Sequence, residues 1–274
     1  LAPPELAAQQ PAAPAAAARK VVVEVQGLEV RVVDLDPAIE FFKLFGFALV
    51  DRKSPQIATV RNGGAVIDLI AVPKRLEIDD SKVSNTHINL RVESLAAAIE
   101  ELKARPGYRF VGELRRKSPV GDYSIVKDPS GNIFHLMEPS EKGAEGIRRG
   151  IFNVGIALPD MAAGRKFYCE LLGFEIFSED YFPPDLPLKR KGALPLVLHQ
   201  TVTTAAALGY PDTADSIVVL ATPNLREALA ALRADGVRVL QAEPVESPLG
   251  RYSTFLDPFG VVLELRQTAA AAPR

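Results

Sequence analysis

An internal duplication restricts this chain more than any other feature: residues 118–131 read SPVGDYSIVKDPSG, and residues 247–260 read SPLGRYSTFLDPFG. The segment VRVVDLDPAIEFFKLFGF (30–47) is answered in the same way by VGIALPDMAAGRKFYCELLGF (154–174), with Asp34 opposite Asp160. A repeat on this scale means that one supersecondary unit is built more than once. Within each half the pattern recurs, because THINLRVESLAAAIEELKARPG (86–107) and SIVVLATPNLREALAALRADG (216–236) are again a strand running into a helix.

Each unit opens on alternating residues. Leu28, Val30 and Val32 fall on one face of a strand and Glu29 and Arg31 on the other. Helices follow at Asp36-Pro37 and at Asn224 with Glu227, and Gly46, Gly107, Gly173 and Gly236 stand where they should stop. Short strands complete the units, the last of each being IDLIAV, IFHLME, LVLHQ and VLELRQ. The reading is an α+β chain of four βαβββ modules. Modules one and two form a first domain over 21–138, a linker covers 139–150, and modules three and four form a second domain over 151–267. Residues 1–20, almost all Ala, Pro and Gln, form a tail without an apolar stripe, and 268–274 form another.

Composition excludes several classes. The 274 residues are 47% hydrophobic, enough to bury a core. A net charge of −2 offers no excess to attract a phosphate backbone, so nucleic acid is not an expected partner. Apolar runs such as Ile217 to Ala221 are strand-length, far below the roughly 20 residues of a membrane helix, so no membrane span is expected. Cys169 is the only cysteine, which excludes internal disulfides and thiolate zinc sites. The tail suits an exported chain or a cytoplasmic one, and the sequence does not set the oligomeric state.

The turn-and-strand segments DPSGNIFHL and DPFGVVLEL, with the DLDPAIEFF strand-to-helix turn, resemble the vicinal oxygen chelate superfamily of glyoxalases, extradiol dioxygenases and bleomycin-resistance proteins. The resemblance spans about residues 25–267. It implies paired βαβββ modules whose curved mixed sheets enclose a cavity, with a divalent metal in active members held by the first and last strands.

Carried over position by position, the resemblance places Gly27, Asp68, His87 and His135 at the ligand positions of the first domain. Asn153, Val197, Ile217 and Glu264 take those of the second. Gly27 has no donor, which leaves Asp68, His87 and His135 as the expected metal set, suited to Fe, Mn, Ni or Zn. In the second domain Glu264 is the one strong donor, with His199 two residues beyond the ligand position. A strand histidine bonded to a neighbouring carboxylate is the plainer alternative for His87. Arg31, Asn89 and Arg91 are candidates for substrate binding, although Arg31 and Arg91 can equally pair with Glu29. Glu264 is a candidate general base. Tyr123 and Tyr252, in the repeated GDYS and GRYS, read as packing residues.

Two main functional readings follow. In one, a metal in the first domain chelates a small oxygen-bearing molecule for a lyase, isomerase or dioxygenase reaction, and the second domain is a degenerate copy. In the other, the chain binds a small molecule without metal, as in the bleomycin-resistance branch. A third, inactive interaction scaffold remains, because one fold hosts many functions.

Overall fold

The computed structural model describes residues 21–80, 86–140, 149–180, 183–201 and 209–268. Residues 1–20, 269–274 and most of the expected linker lie outside them. The first module is β1 (Glu24–Val32), α1 (Leu35–Leu44), β2 (Ala48–Ser54), β3 (Ile57–Asn62) and β4 (Ala65–Ala71). The second is β5 (Thr86–Arg91), α2 (Leu95–Lys103), β6 (Arg109–Phe110), β7 (Arg116–Ser118), β8 (Gly121–Lys127) and β9 (Ile133–Pro139). The third is β10 (Gly150–Leu158), α3 (Met161–Arg165), β11 (Leu186–Pro187) and β12 (Leu196–Gln200). The fourth is β13 (Asp215–Thr222), α4 (Leu225–Ala234), β14 (Val245–Ser247), β15 (Gly250–Leu256) and β16 (Val262–Gln267). The four closing strands fall where the sequence puts them. The third module departs most, since α3 runs on into a π-helical segment, Lys166–Leu171, that turns Phe167, Tyr168 and Leu171 inward.

Local signals account for the helices. Asp34 accepts the Asp36 N–H at the start of α1, and Asn224 accepts the Glu227 N–H at the start of α4, supplying acceptors to orphan amides of the first turn. Ile39, Phe42, Ile99, Leu102, Tyr168, Leu172, Leu229 and Leu232 are all buried, as their spacing requires.

Two mixed sheets carry the fold, but they do not follow the sequence halves. One runs β14-β15-β16-β13-β1-β4-β3-β2, and the other runs β11-β12-β10-β5-β9-β8-β6, with β7 on β8. Module one is therefore joined to module four by antiparallel β1 and β13, and module two to module three by antiparallel β5 and β10. The expected pairing of modules one and two around a shared sheet is corrected by this topology.

The connections supply the physical reason. Residues 72–80 and 209–214 are the described parts of the two connections between the sheets. They run beside each other where described: Lys74 bridges to Thr213, the Lys74 N–H donates to the Asp212 carbonyl, and the Ala214 N–H donates to the Lys74 carbonyl. Val72, Leu76 and Ala214 form a small apolar cluster under this crossing. Sequence neighbours still touch through their helices, since Phe41 and Phe42 of α1 meet Phe134 of β9 with ring centroids 4.7 and 5.7 Å apart. One continuous apolar core joins both sheets. No helix among the described residues is long and apolar enough to cross a membrane.

The cross-half pairing is directly testable. Asn89 and Asn153 are register partners whose side chains touch at 2.6 Å. With Cys169→Ser as background, Asn89→Cys combined with Asn153→Cys should close an intramolecular disulfide under mild oxidation. A faster-migrating monomer on a non-reducing gel is the expected readout, and its absence would contradict the β5–β10 pairing.

Candidate functional site

Each sheet carries one cluster of polar side chains at the positions the sequence singled out, and the two clusters differ in kind. On the first sheet Glu29 and Arg31 of β1, Asp68 of β4, and Glu264 and Arg266 of β16 are all at most 6% exposed. Buried charges must be compensated, and these compensate one another. Arg31 Nε bonds Glu29 at 2.7 Å. Arg266 reaches Asp68 through Nη1 at 2.7 Å and Glu264 through Nε at 2.8 Å. Thr59 Oγ1 donates to the other oxygen of Asp68 at 2.7 Å. Burial and the neighbouring Glu29 push the Glu264 carboxyl up. Three carboxyls and two guanidiniums then balance when one proton is kept on the Glu264–Glu29 side. Arg31 also donates to the Pro211 carbonyl and lies 4.5 Å from the Tyr210 ring centroid.

This arrangement corrects three sequence expectations. Asp68 lies on a different sheet from His87 and His135 and is held by Arg266 and Thr59, so the expected metal set does not converge. Arg31 is consumed by Glu29, as the plainer reading had it, and Glu264 is locked in the cluster and lines none of the described cavities. Arg91, the other candidate arginine, lines a recess of about 210 Å³ with Glu93 and Arg149, apart from the histidines.

The second sheet brings together all three histidines of the chain. His87 stands on β5, His135 on β9 and His199 on β12, with ring centroids 4.6 Å apart for His87 and His135 and 5.6 Å for His87 and His199. They line an open cavity of about 350 Å³ with Asn89, Asn153 and Tyr123, while Met137, Phe152 and Val197 add apolar wall. That volume suits a small ligand. Gly155 makes room for the floor: a Cβ there would lie 2.1 Å from His87 Nε2. The Nδ1 of His87 is buried and has no hydrogen-bond partner among the described residues. A larger groove of about 510 Å³ runs between Phe167 and Arg238, but it gathers no imidazoles.

Burial, reinforced by the neighbouring imidazoles, holds His87 well below the ordinary imidazole range. His135 is pushed down to about 3, first by burial and then by His199 and Arg116, although its edge on the cavity keeps some solvent contact. Both are neutral near pH 7. His199 differs, because its Nδ1 lies 2.7 Å from a carboxylate oxygen of Asp185, whose other oxygen accepts the Gln200 N–H at 2.9 Å. Sequence reasoning placed His199 near the site but missed Asp185, which lies on an aperiodic stretch before β11.

The divalent metal implied by the resemblance finds only part of its expected donor set here. Neutral imidazoles are the form that ligates, and His87 and His135 stand at the positions where the resemblance implied ligands. Asp68 is absent, however, Asn153 is bonded to Asn89, and Val197 has no donor. Among the described residues no group of three or more His, Cys, Asp or Glu side chains could hold a metal ion. The donors present do not fit the expected site.

Two outcomes are expected from the electrostatics. Arg266→Met leaves Asp68 and Glu264 buried without their cation and should cost roughly 3–5 kcal/mol in urea unfolding. Arg52→Met, which removes the exposed pair with Asp36, should cost less than about 1 kcal/mol. The imidazoles of His87 and His135 set a pH dependence. Their folded pKa values lie below that of the unfolded chain, so the unfolded state takes up protons first. Stability should therefore fall from about pH 6.5 downward, by at most about 1.4 kcal/mol per pH unit for each site. A His87→Gln, His135→Gln double variant should flatten that slope.

A family model for the Glyoxalase/Bleomycin resistance protein/Dioxygenase superfamily matches residues 24–136 and 150–265. Among solved structures, glyoxalase I from Zea mays is similar at 18% identity and a TM-score of 0.60, over 89% of this chain and 92% of that one. A putative dioxygenase from Bacillus subtilis is similar at 13% identity and a TM-score of 0.62, over 92% and 87%. No curated protein matches the sequence. The two structures share the fold, and the family model spans both halves of the duplication: the chain belongs to the glyoxalase/bleomycin resistance/dioxygenase superfamily.

Proposed function

We propose that the chain binds a small molecule in the cavity of the second sheet, with His87 and His135 at its floor. One observation carries this reading. The cavity stays open and is lined by neutral imidazoles and amides, whereas the matching positions on the first sheet are filled by their own ion pairs. Asn89 and Asn153 bond each other at 2.6 Å and retain further amide hydrogen-bonding capacity for a ligand. Met137, Phe152 and Val197 supply apolar contact. The favoured ligand is compact, with a hydrogen-bonding edge and an apolar body. Of the residues nominated for substrate binding, Asn89 keeps that role, while Arg31 and Arg91 lie elsewhere.

The three histidines make their own reporter. With histidine rings isotopically labelled, members of a small-fragment library should shift the His87 and His135 resonances in the wild type. They should not do so in Val197→Trp, which fills the cavity. A library that moves neither ring, or moves both equally in Val197→Trp, refutes the reading. Equilibrium dialysis against Fe, Mn, Ni and Zn supplies the opposing outcome: one ion retained per chain, and lost in His87→Ala, would replace it with a metal-assisted one.

A further inference from the structure

We infer that His199 is a general acid–base group of the second-sheet cavity, with Asp185 as its positioning residue, acting on a small substrate that carries an acidic C–H or O–H. This rests on the binding reading above, and it assigns chemistry to a histidine outside the positions expected of the family.

Geometry separates His199 from the other two imidazoles. Asp185, its side chain 9% exposed, is fixed through both oxygens, one to His199 Nδ1 and one to the Gln200 N–H of the same strand. An ionised carboxylate only accepts, so the proton of neutral His199 sits on Nδ1 and the Nε2 lone pair is left for the cavity. The His199 side chain is 38% exposed, so a substrate can reach it. His87 is buried and His135 mostly so, and among the described residues neither ring pairs with a carboxylate. Taking up a proton there would place a charge in a poorly solvated floor, whereas an imidazolium at His199 forms beside Asp185.

The groups facing His199 are His87 edge-on from β5, Asp185 from the segment before β11, and Lys117, Tyr123 and His135 from the cavity wall. Among the cavity-lining residues, Asp185 is the one carboxylate. In the step itself, the Nε2 lone pair takes the substrate proton and the electrons of the broken bond move into the substrate's withdrawing group. The imidazolium then returns the proton to a second substrate atom or to water. No co-reactant is consumed, so isomerisation or elimination is the class of reaction supplied.

The test uses 5-nitrobenzisoxazole, whose elimination needs only a base: the C3–H proton goes to the base, the N–O bond breaks and coloured 2-cyano-4-nitrophenolate forms. Wild-type full-length protein should catalyse this with saturation. His199→Gln should lower kcat by about a hundredfold, within the usual range for general-base catalysis, with KM little changed. Its fold is checked by the His87 and His135 resonances. Asp185→Asn should lower kcat by roughly tenfold at similar KM and, in nitrogen NMR, shift the His199 tautomer away from the Nδ1–H form, a change that loss of packing alone would not produce. Probe-induced shifts of the His87 ring with His199→Gln retaining wild-type kcat would overturn the inference and leave the binding reading standing. Failure of both the probe and the fragment library to shift those rings would overturn both.

Discussion

The antiparallel pairings of β1 with β13 and β5 with β10 decide everything else about this molecule. Each module alone is a partial sheet with an open edge along its first strand, and that edge has to be covered. Covering it with a module from the other half determines which side chains share a floor. Asp68 then meets Arg266, 198 positions away in sequence, and His87 meets Gly155 and His199. Had modules one and two shared a sheet, Asp68 and His87 would have belonged to one floor.

The two floors show what burial permits for different side chains. A carboxylate taken out of water requires a counter-charge, and on the first sheet guanidiniums provide it with bidentate reach. The resulting network consumes the donors that would otherwise meet a ligand. An imidazole can instead be buried by giving up its proton, at the expense of a lowered pKa rather than an obligatory ion pair. The second floor therefore stays polar without closing on itself. The open cavity goes with His135 and Met137 standing where the first sheet has Glu264 and Arg266.

Local structure was legible in the sequence because its causes are local. Asn224 with Glu227, the alternation at Leu28, Val30 and Val32, and the four closing strands all depend on neighbours within a few positions. The family and the α+β class were legible from DPSGNIFHL and DPFGVVLEL. Module pairing was not, since β1, β5, β10 and β13 offer similar apolar faces, and the contacts that accompany the choice, such as Lys74 with Asp212 and Ala214, join positions far apart in sequence. The misplacement of Asp68 follows from that one missing fact. His87, His135 and Asn89 could be placed on cavity-facing strand positions because register is local; Asp185 could not, because it follows no period.

The cavity is also where the fold accepts unfavourable terms. An unpaired buried nitrogen such as His87 Nδ1 costs on the order of 1–3 kcal/mol, and Gly155 gives up strand propensity to let that ring lie across β10. Neither feature helps the sheet. An apolar residue at 87 facing an ordinary side chain at 155 would pack the same position without the unmet bond, as buried Ile217 facing Glu29 does on the first sheet. The orphaned imidazole, the missing Cβ and the carboxylate-held histidine gather around one opening, so the sheet gives up stability at the place where binding is proposed.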